Sequence, residues 1–148
     1  MDLQIKGKKA IMAGGSAGMG RATAERLAEA GVELVITARR KERLEKAATE
    51  ISTKYGVNVT PIVADSSKPA DRARLLQACP DPDILGITIK PPAPNGDFLN
   101  VTPEMWRESI DTALIGPVEL MRQYIPHMKS TGWGRIVNIA TFSAKNPM

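Results

Sequence analysis

Hydrophobic positions along the chain alternate between short apolar runs and longer segments in which apolar residues recur at helical spacing. The short runs predict buried β-strands at 9–13, 32–37, 57–64, 84–89 and 135–140. The segments with helical spacing predict helices at 18–30, 40–55, 68–79 and 102–131. This alternation favours an α/β fold in which helices cover both faces of a doubly wound parallel sheet, with five strands present.

Residues with special backbone preferences mark the predicted ends of the helices. Gly31 and Gly56 follow the first two helical segments, and glycine is the preferred residue just beyond a helix end. Segment 102–104 (Thr-Pro-Glu) combines a capping threonine with proline and an acid in the first turn, so it predicts the start of the fourth helix. Pro117 lies inside that helix and predicts a kink, because proline lacks the backbone N–H.

Composition places the 148 residues among ordinary globular proteins and predicts one domain, 1–148. Hydrophobic residues make up 43% and charged residues 24%, which argues against disorder. The chain has one cysteine, Cys79, and one histidine, His127, so it has no internal disulfide and no metal site built from several such residues. We therefore expect no bound metal.

The formal net charge of +4 raises the possibility of an anionic partner. Basic and acidic residues are interleaved in segment 40–46, as on a solvated helix surface, so we expect no nucleic acid partner. No run of 18 apolar residues occurs, and the N-terminal residues lack the apolar centre of a signal peptide. The expectation is a cytoplasmic protein without membrane contact.

A glycine-rich turn, 13–20, joins the first predicted strand to the first predicted helix. Gly14 permits a tight turn, Gly18 lets the backbone approach a pyrophosphate, and Gly20 lets the helix pack close to the strand. The start of the helix would then present free N–H groups to the pyrophosphate. The other residues of the turn predicted to contact the cofactor are Ser16, Ala17 and Met19. No Gly-Lys-Ser/Thr sequence closes the turn, which disfavours a P-loop ATPase. The turn therefore predicts a Rossmann-like dinucleotide site.

The residue after the second predicted strand indicates which dinucleotide is bound. Arg39 lies 19 residues after Gly20, near the position where an acid would read the ribose 2′-hydroxyl of NAD. A guanidinium instead suits a 2′-phosphate, because it makes paired, charge-assisted hydrogen bonds. We therefore expect NADP rather than NAD as cofactor. The alternative is that Arg39 merely ends the strand or faces water.

With these motifs the chain resembles the short-chain dehydrogenase/reductase family, and in particular its 3-oxoacyl-ACP reductase-like members. Segment 13–20 is similar to the family's Thr-Gly-x-x-x-Gly-x-Gly turn, with Ala13 in place of threonine. Asp65 is similar to the family's aspartate that contacts the adenine ring, and Ser66 lies beside it. Trp106 and segment 134–139 also match family positions. The resemblance implies a Rossmann fold that binds NADP.

The catalytic positions of the family are poorly matched. Its Asn-Asn-Ala-Gly motif is replaced by Ile-Thr-Ile-Lys at 87–90, and Ala113 stands where the family has an asparagine. The catalytic serine aligns with Thr141, with Ser143 as the fallback. The family's Tyr-x-x-x-Lys pair, in which lysine lowers the tyrosine pKa, is absent from the sequence. Tyr124 cannot replace it, because the residue four positions later is a methionine and its helical spacing indicates core packing.

The resemblance implies an oxidoreductase that moves hydride between NADP(H) and a small carbonyl or alcohol substrate, with this chain inactive as it stands. The alternative is a non-catalytic dinucleotide-binding module, such as a sensor or a partner subunit. A SAM-dependent methyltransferase is disfavoured, because Arg39 replaces the acid expected after the second strand. The family's C-terminal strands and helices are missing from the 148 residues, so we expect an exposed sheet edge and a homo-oligomer or self-associating chain.

Overall fold

A computed structural model describes residues 3–90 and 98–140. The strands are β1 (Lys9–Ala13), β2 (Glu33–Ala38), β3 (Val59–Val63), β4 (Ile84–Ile87) and β5 (Arg135–Asn138). The α-helices are α1 (Gly18–Glu29), α2 (Lys41–Tyr55), α3 (Pro69–Ala78), α4 (Pro103–Ile110) and α5 (Gly116–Ser130). A short 3₁₀ turn (Phe98–Asn100) precedes α4, and a π-helical turn (Asp111–Ile115) joins α4 to α5.

The strands form one parallel sheet in the order β3-β2-β1-β4-β5. This arrangement confirms the doubly wound, Rossmann-like sheet predicted from the alternation of strands and helices. The chain passes from β1 outward to β3 and then crosses to β4 on the other side of β1. The strand order therefore reverses between β1 and β4, which is where open α/β sheets form a crevice at the carboxyl ends of their strands.

Each face of the sheet carries its own apolar core, because side chains alternate between faces along a strand. Ala10 and Met12 of β1 pack into the core covered by α1 and α2. Ile11 and Ala13 pack into the opposite core, against Leu120 and other residues of α5. Burial on both faces explains why β1 is a continuous apolar run instead of an alternating one.

The helix predicted over 102–131 is divided just before the proline that was expected to kink it. Gly116 donates its backbone N–H to the carbonyl oxygen of Asp111, a hydrogen bond one residue longer than in an α-helix. The wider turn places Pro117 among the first residues of α5, where the missing N–H costs little. A Cβ at Gly116 would lie 3.0 Å from the Ser66 carbonyl oxygen, so this turn packs closely on the loop after β3.

Strand β5 forms one edge of the described sheet. Val137 is 53% exposed and Ile139 is 39% exposed, so apolar side chains line this edge. The expected self-association through it stays a prediction. Within the described part of the chain, no helix is long and apolar enough to cross a membrane.

Candidate nucleotide-binding site

A cavity of about 440 Å³ lies at the carboxyl ends of β1, β2, β3 and β4, and this volume is within the usual range for ligand pockets. All nine residues expected from the sequence to bind a cofactor line it: Gly14, Ser16, Ala17, Gly18, Met19, Gly20, Arg39, Asp65 and Ser66. They come from three separate segments of the chain, and the fold brings these segments together. Their contact with a cofactor stays a prediction.

The glycine turn has little room for side chains at two of its three key positions. Gly14 has φ +89°, and a Cβ there would lie 2.7 Å from the Thr88 Oγ1. A Cβ at Gly20 would lie 2.9 Å from the carbonyl carbon of Gly14, so only glycine allows α1 to start this close to β1. Gly18 has φ +55° and open space around its missing side chain. Its backbone is therefore accessible to a ligand.

Backbone hydrogen bonds attach this turn to the neighbouring strand. The N–H groups of Gly14 and Gly15 both donate to the Thr37 carbonyl oxygen of β2, at 3.0 Å. Helix α1 then starts after Ala17, with no capping side chain and no acidic residue in its first turn. The first N–H groups of a helix lack partners within the helix, and the helix dipole makes this end positive. The start of α1 is therefore suited to bind an anion such as a pyrophosphate.

Thr88, just beyond β4, holds the other side of the turn. Its backbone N–H donates to the Ala13 carbonyl oxygen at 2.9 Å, and its hydroxyl donates to the same oxygen at 3.1 Å. Thr88 occupies the second asparagine position of the family's Asn-Asn-Ala-Gly motif, and it lines the cavity with Ile89 and Lys90. These three residues were not among the site residues predicted from the sequence, although their departure from the family motif was a signal that could have identified them.

Positive charge surrounds the cavity. Four of the described lining residues are basic, Arg39, Arg40, Arg43 and Lys90, whereas one, Asp65, is acidic. All four basic side chains are exposed, and none forms an ion pair with any other residue that the structure describes. Elsewhere many lysines and arginines are paired, as Arg21 is with Glu25 at 2.9 Å. Unpaired cations are therefore gathered where an anionic ligand would lie.

The loop after β3 is held by its own polar groups. Asp65 accepts the backbone N–H of Ser67 at 3.0 Å and its hydroxyl at 2.7 Å, both through Oδ1. Arg72 donates to the Ser66 carbonyl oxygen at 2.7 Å. The Ser66 hydroxyl is buried and has no hydrogen-bond partner within 3–90 and 98–140. A buried hydroxyl is costly to leave unpaired, so this group is available to a polar ligand atom.

Comparison with known proteins identifies the family of this chain. Residues 8–148 match the sequence profile of the family described as short chain dehydrogenase. The chain belongs to the short-chain dehydrogenase family.

Relatives of this chain include the 3-oxoacyl-[acyl-carrier-protein] reductase FabG of Aquifex aeolicus, 32% identical over 95% of this chain and 58% of that protein. L-sorbose reductase from Gluconobacter frateurii, solved with NADPH and L-sorbose, has TM-score 0.90 and 30% identity over 100% of this chain and 57% of that chain. A short-chain dehydrogenase from Sphingobium yanoikuyae, solved with NADPH, has TM-score 0.86 and 31% identity over 95% and 56%. The present chain thus spans little more than half the length of these proteins.

The family's catalytic positions are only partly within the described structure. Thr141 and Ser143, the candidates for the catalytic serine, lie outside the described residues. Ala113 lies in the π-helical turn, and its neighbour Thr112, 4% exposed, lines the cavity instead. Tyr124, on α5, is fully buried in the core, and this burial raises its pKa well above the usual range. Tyr124 is therefore a core residue and not an acid or base of the cavity.

The side chains that most often bind metals are scattered in the described part of the chain. Among residues 3–90 and 98–140, no group of three or more His, Cys, Asp or Glu side chains could hold a metal ion. Cys79 is buried between α3 and the sheet, and burial raises the pKa of its thiol. A protonated, inaccessible thiol is a poor nucleophile.

Proposed function

We propose that this chain binds NADP(H) and forms the coenzyme-binding part of an oxidoreductase acting on small carbonyl or alcohol compounds. The observation that carries the proposal is the cavity itself, where the glycine turn, the start of α1 and the unpaired Arg39 meet. NADPH complexes among the structural neighbours support the choice of coenzyme. When bound, the coenzyme supplies the hydride, and the chain supplies position and electrostatics.

Each part of the coenzyme has a matching group in the cleft. The N–H groups at the start of α1 would bind the pyrophosphate, which Gly18 lets approach the backbone. Asp65 and Ser66, just after β3, would bind polar atoms of the adenine ring; the Asp65 carboxylate can accept and the Ser66 hydroxyl can donate. Ser16 and Met19 would flank the phosphates on the wall of the same cavity.

Selection of NADP over NAD would rest on Arg39, with Arg40 and Arg43 adding to the positive potential. The 2′-phosphate carries a charge of about −1.5 to −2 at neutral pH and offers three acceptor oxygens. A guanidinium matches such a group through paired hydrogen bonds. Because these arginines have no acidic partner in the described chain, binding the phosphate breaks no existing ion pair.

Hydride transfer also needs a group that gives or takes a proton at the substrate oxygen. In this family's motif a tyrosine, followed by a lysine four residues later, does this. The chain has two tyrosines, Tyr55 and Tyr124, and neither has a lysine at that position. We therefore expect the 148 residues to bind coenzyme without turning over carbonyl substrates. The departures from the family pattern at 87–90 and at Ala113 favour a second candidate function, a dinucleotide-binding module that senses or presents the coenzyme without catalysis.

Titration of the 148-residue chain with NADPH and with NADH, followed by coenzyme fluorescence, tests the binding proposal. Replacing Arg39 with alanine should weaken NADPH binding about tenfold and leave NADH binding nearly unchanged. Arg26→Ala is the control, because Arg26 lies exposed at the far end of α1 and away from the cavity. Equal affinity for both coenzymes, before and after the Arg39 change, would show that Arg39 does not bind the 2′-phosphate on the adenosine ribose.

Assays of carbonyl reduction test the expected inactivity of this chain. The chain is mixed with NADPH and a panel of ketones and aldehydes, and oxidation of NADPH is followed by the loss of its absorbance. We expect binding without oxidation of NADPH. Turnover that scales with protein concentration, and falls together with NADPH affinity in Arg39→Ala, would contradict the expected inactivity and favour the enzyme over the binding module.

A further inference from the structure

Lys90 stands where the family's Asn-Asn-Ala-Gly motif has its glycine, so this chain carries a basic side chain at that position. It lies three residues after the end of β4, is exposed, and lines the cavity. Its ammonium group has no acidic partner among the residues described. Nothing in the proposed function uses it, since the adenosine phosphate has already been assigned to Arg39.

The strand order places Lys90 and the arginines on opposite sides of the glycine turn. Arg39 follows β2 and Lys90 follows β4, and these two strands flank β1 in the sheet. Neighbouring strands are about 4.8 Å apart, so the ends of β2 and β4 are separated by roughly 10 Å. The turn that follows β1 lies between them. Lys90 is therefore next to the pyrophosphate position, on the side away from the 2′-phosphate position.

Contact between the β4 end and the glycine turn keeps this position close to the phosphates. Thr88 donates two hydrogen bonds to the Ala13 carbonyl oxygen, and its Oγ1 would touch a Cβ placed at Gly14. Ile89 packs against the apolar core between the sheet and α5. These contacts fix the backbone immediately before Lys90, while the long lysine side chain stays free to reach toward the cavity.

We propose that Lys90 binds the phosphate on the nicotinamide side of the coenzyme pyrophosphate. This inference rests on the proposed function, because it assumes that the coenzyme lies across the cleft from β2 to β4. The N–H groups at the start of α1 would bind the pyrophosphate, and Lys90 would add a charged donor from the side of β4. Lysine suits this role, because its ammonium is a compact charge on a flexible stem.

Two ligands that differ in the nicotinamide half distinguish Lys90 from Arg39. NADPH contains both phosphates of the bridge, whereas adenosine 2′,5′-bisphosphate keeps the 2′-phosphate and lacks the nicotinamide-side phosphate. Lys90→Gln should weaken NADPH binding about threefold to tenfold and leave the bisphosphate unaffected. Arg39→Ala should weaken both ligands. Lys90→Arg should restore NADPH affinity to within about twofold of the original, because it keeps the charge.

Affinities are measured by calorimetry on the full chain, at two ionic strengths, with thermal unfolding as a check that each variant folds. Lys129→Gln is the matched control, since Lys129 is exposed on α5, makes no ion pair within the described chain and lies outside the cavity. The loss caused by Lys90→Gln should shrink at high salt, because exposed charge interactions are screened.

Each outcome decides the assignment. A loss confined to NADPH and rescued by Lys90→Arg supports it. Unchanged NADPH affinity in Lys90→Gln overturns it while leaving the proposed function intact. An equal loss for NADPH and the bisphosphate also overturns it, because Lys90 would then act on the adenosine half. Absence of NADPH binding by the unaltered chain overturns the proposed function and this inference together.

Discussion

Gly20 is the position where a single added methyl group should damage both the fold and the site. Its backbone has an ordinary helical conformation, so alanine would be favoured there by helix propensity alone. A Cβ at this position would, however, lie 2.9 Å from the carbonyl carbon of Gly14 and overlap the Gly14 oxygen and the Thr88 hydroxyl. Two of these three atoms belong to the backbone, so they cannot move away by changing a rotamer.

The expected cost of Gly20→Ala follows from this overlap. Extra methyl groups in tightly packed positions destabilise proteins by about 1–3 kcal/mol, and relief here requires α1 to move away from β1. Such a movement also displaces the N–H groups at the start of α1. We therefore expect a lower free energy of unfolding, measured by urea denaturation with tryptophan fluorescence, and a weaker affinity for NADPH in a fluorescence titration.

Gly56→Ala is the control that separates steric overlap from glycine's backbone freedom. Gly56 ends α2 with φ +67°, and nothing lies within 4 Å of its missing side chain. Alanine there should cost roughly 1 kcal/mol through the left-handed conformation and leave coenzyme affinity unchanged. If Gly20→Ala unfolds at the same urea concentration as the original chain and binds NADPH equally well, the close packing of α1 on β1 is not what positions this site.

Three further changes test other parts of the structure. Thr88→Val removes the hydroxyl that donates to the Ala13 carbonyl oxygen and should cost about 1 kcal/mol in urea unfolding, whereas Thr88→Ser should cost less. Leu120→Ala, at a fully buried position on α5, should cost about 2–5 kcal/mol in the same assay; a loss below 1 kcal/mol would contradict the described core. Val137→Lys, on the exposed β5 edge, should lower self-association seen by size-exclusion chromatography with light scattering, and an unchanged mass would exclude this edge as the contact.

The elements of the fold were predictable from the sequence because their signals are local. The apolar run at 9–13 became β1 with the predicted bounds, and the other strands begin or end within two residues of their predicted limits. Helix ends at Gly31 and Gly56 were also predicted, since both residues take a left-handed conformation that glycine adopts without strain. Periodicity and turn preference act over a few residues, so sequence order is enough to reveal them.

The division of the last long helix shows where local signals stop being sufficient. Pro117 predicts a disturbance in any helix, but the sequence does not say which hydrogen bond will change. In the folded chain Gly116 packs against Ser66, because a Cβ added at Gly116 would lie 3.0 Å from the Ser66 carbonyl oxygen. That neighbour is distant in sequence, and the π-helical turn brings the two segments into contact. Tertiary packing therefore decided the form of the irregularity.

By itself, the sequence predicted the alternation of strands and helices, the glycine turn and Arg39 from local spacing, whereas Asp65 and Ser66 were predicted from the family resemblance. Only the tertiary structure brought Arg43, Thr88, Lys90 and Thr112 to the same cavity. These residues come from α2, the end of β4 and the π-helical turn, which meet because the sheet reverses its strand order beside β1. The reversal of strand order decides which side chains face a common ligand. It is a property of the assembled sheet and cannot be seen in any short stretch of sequence.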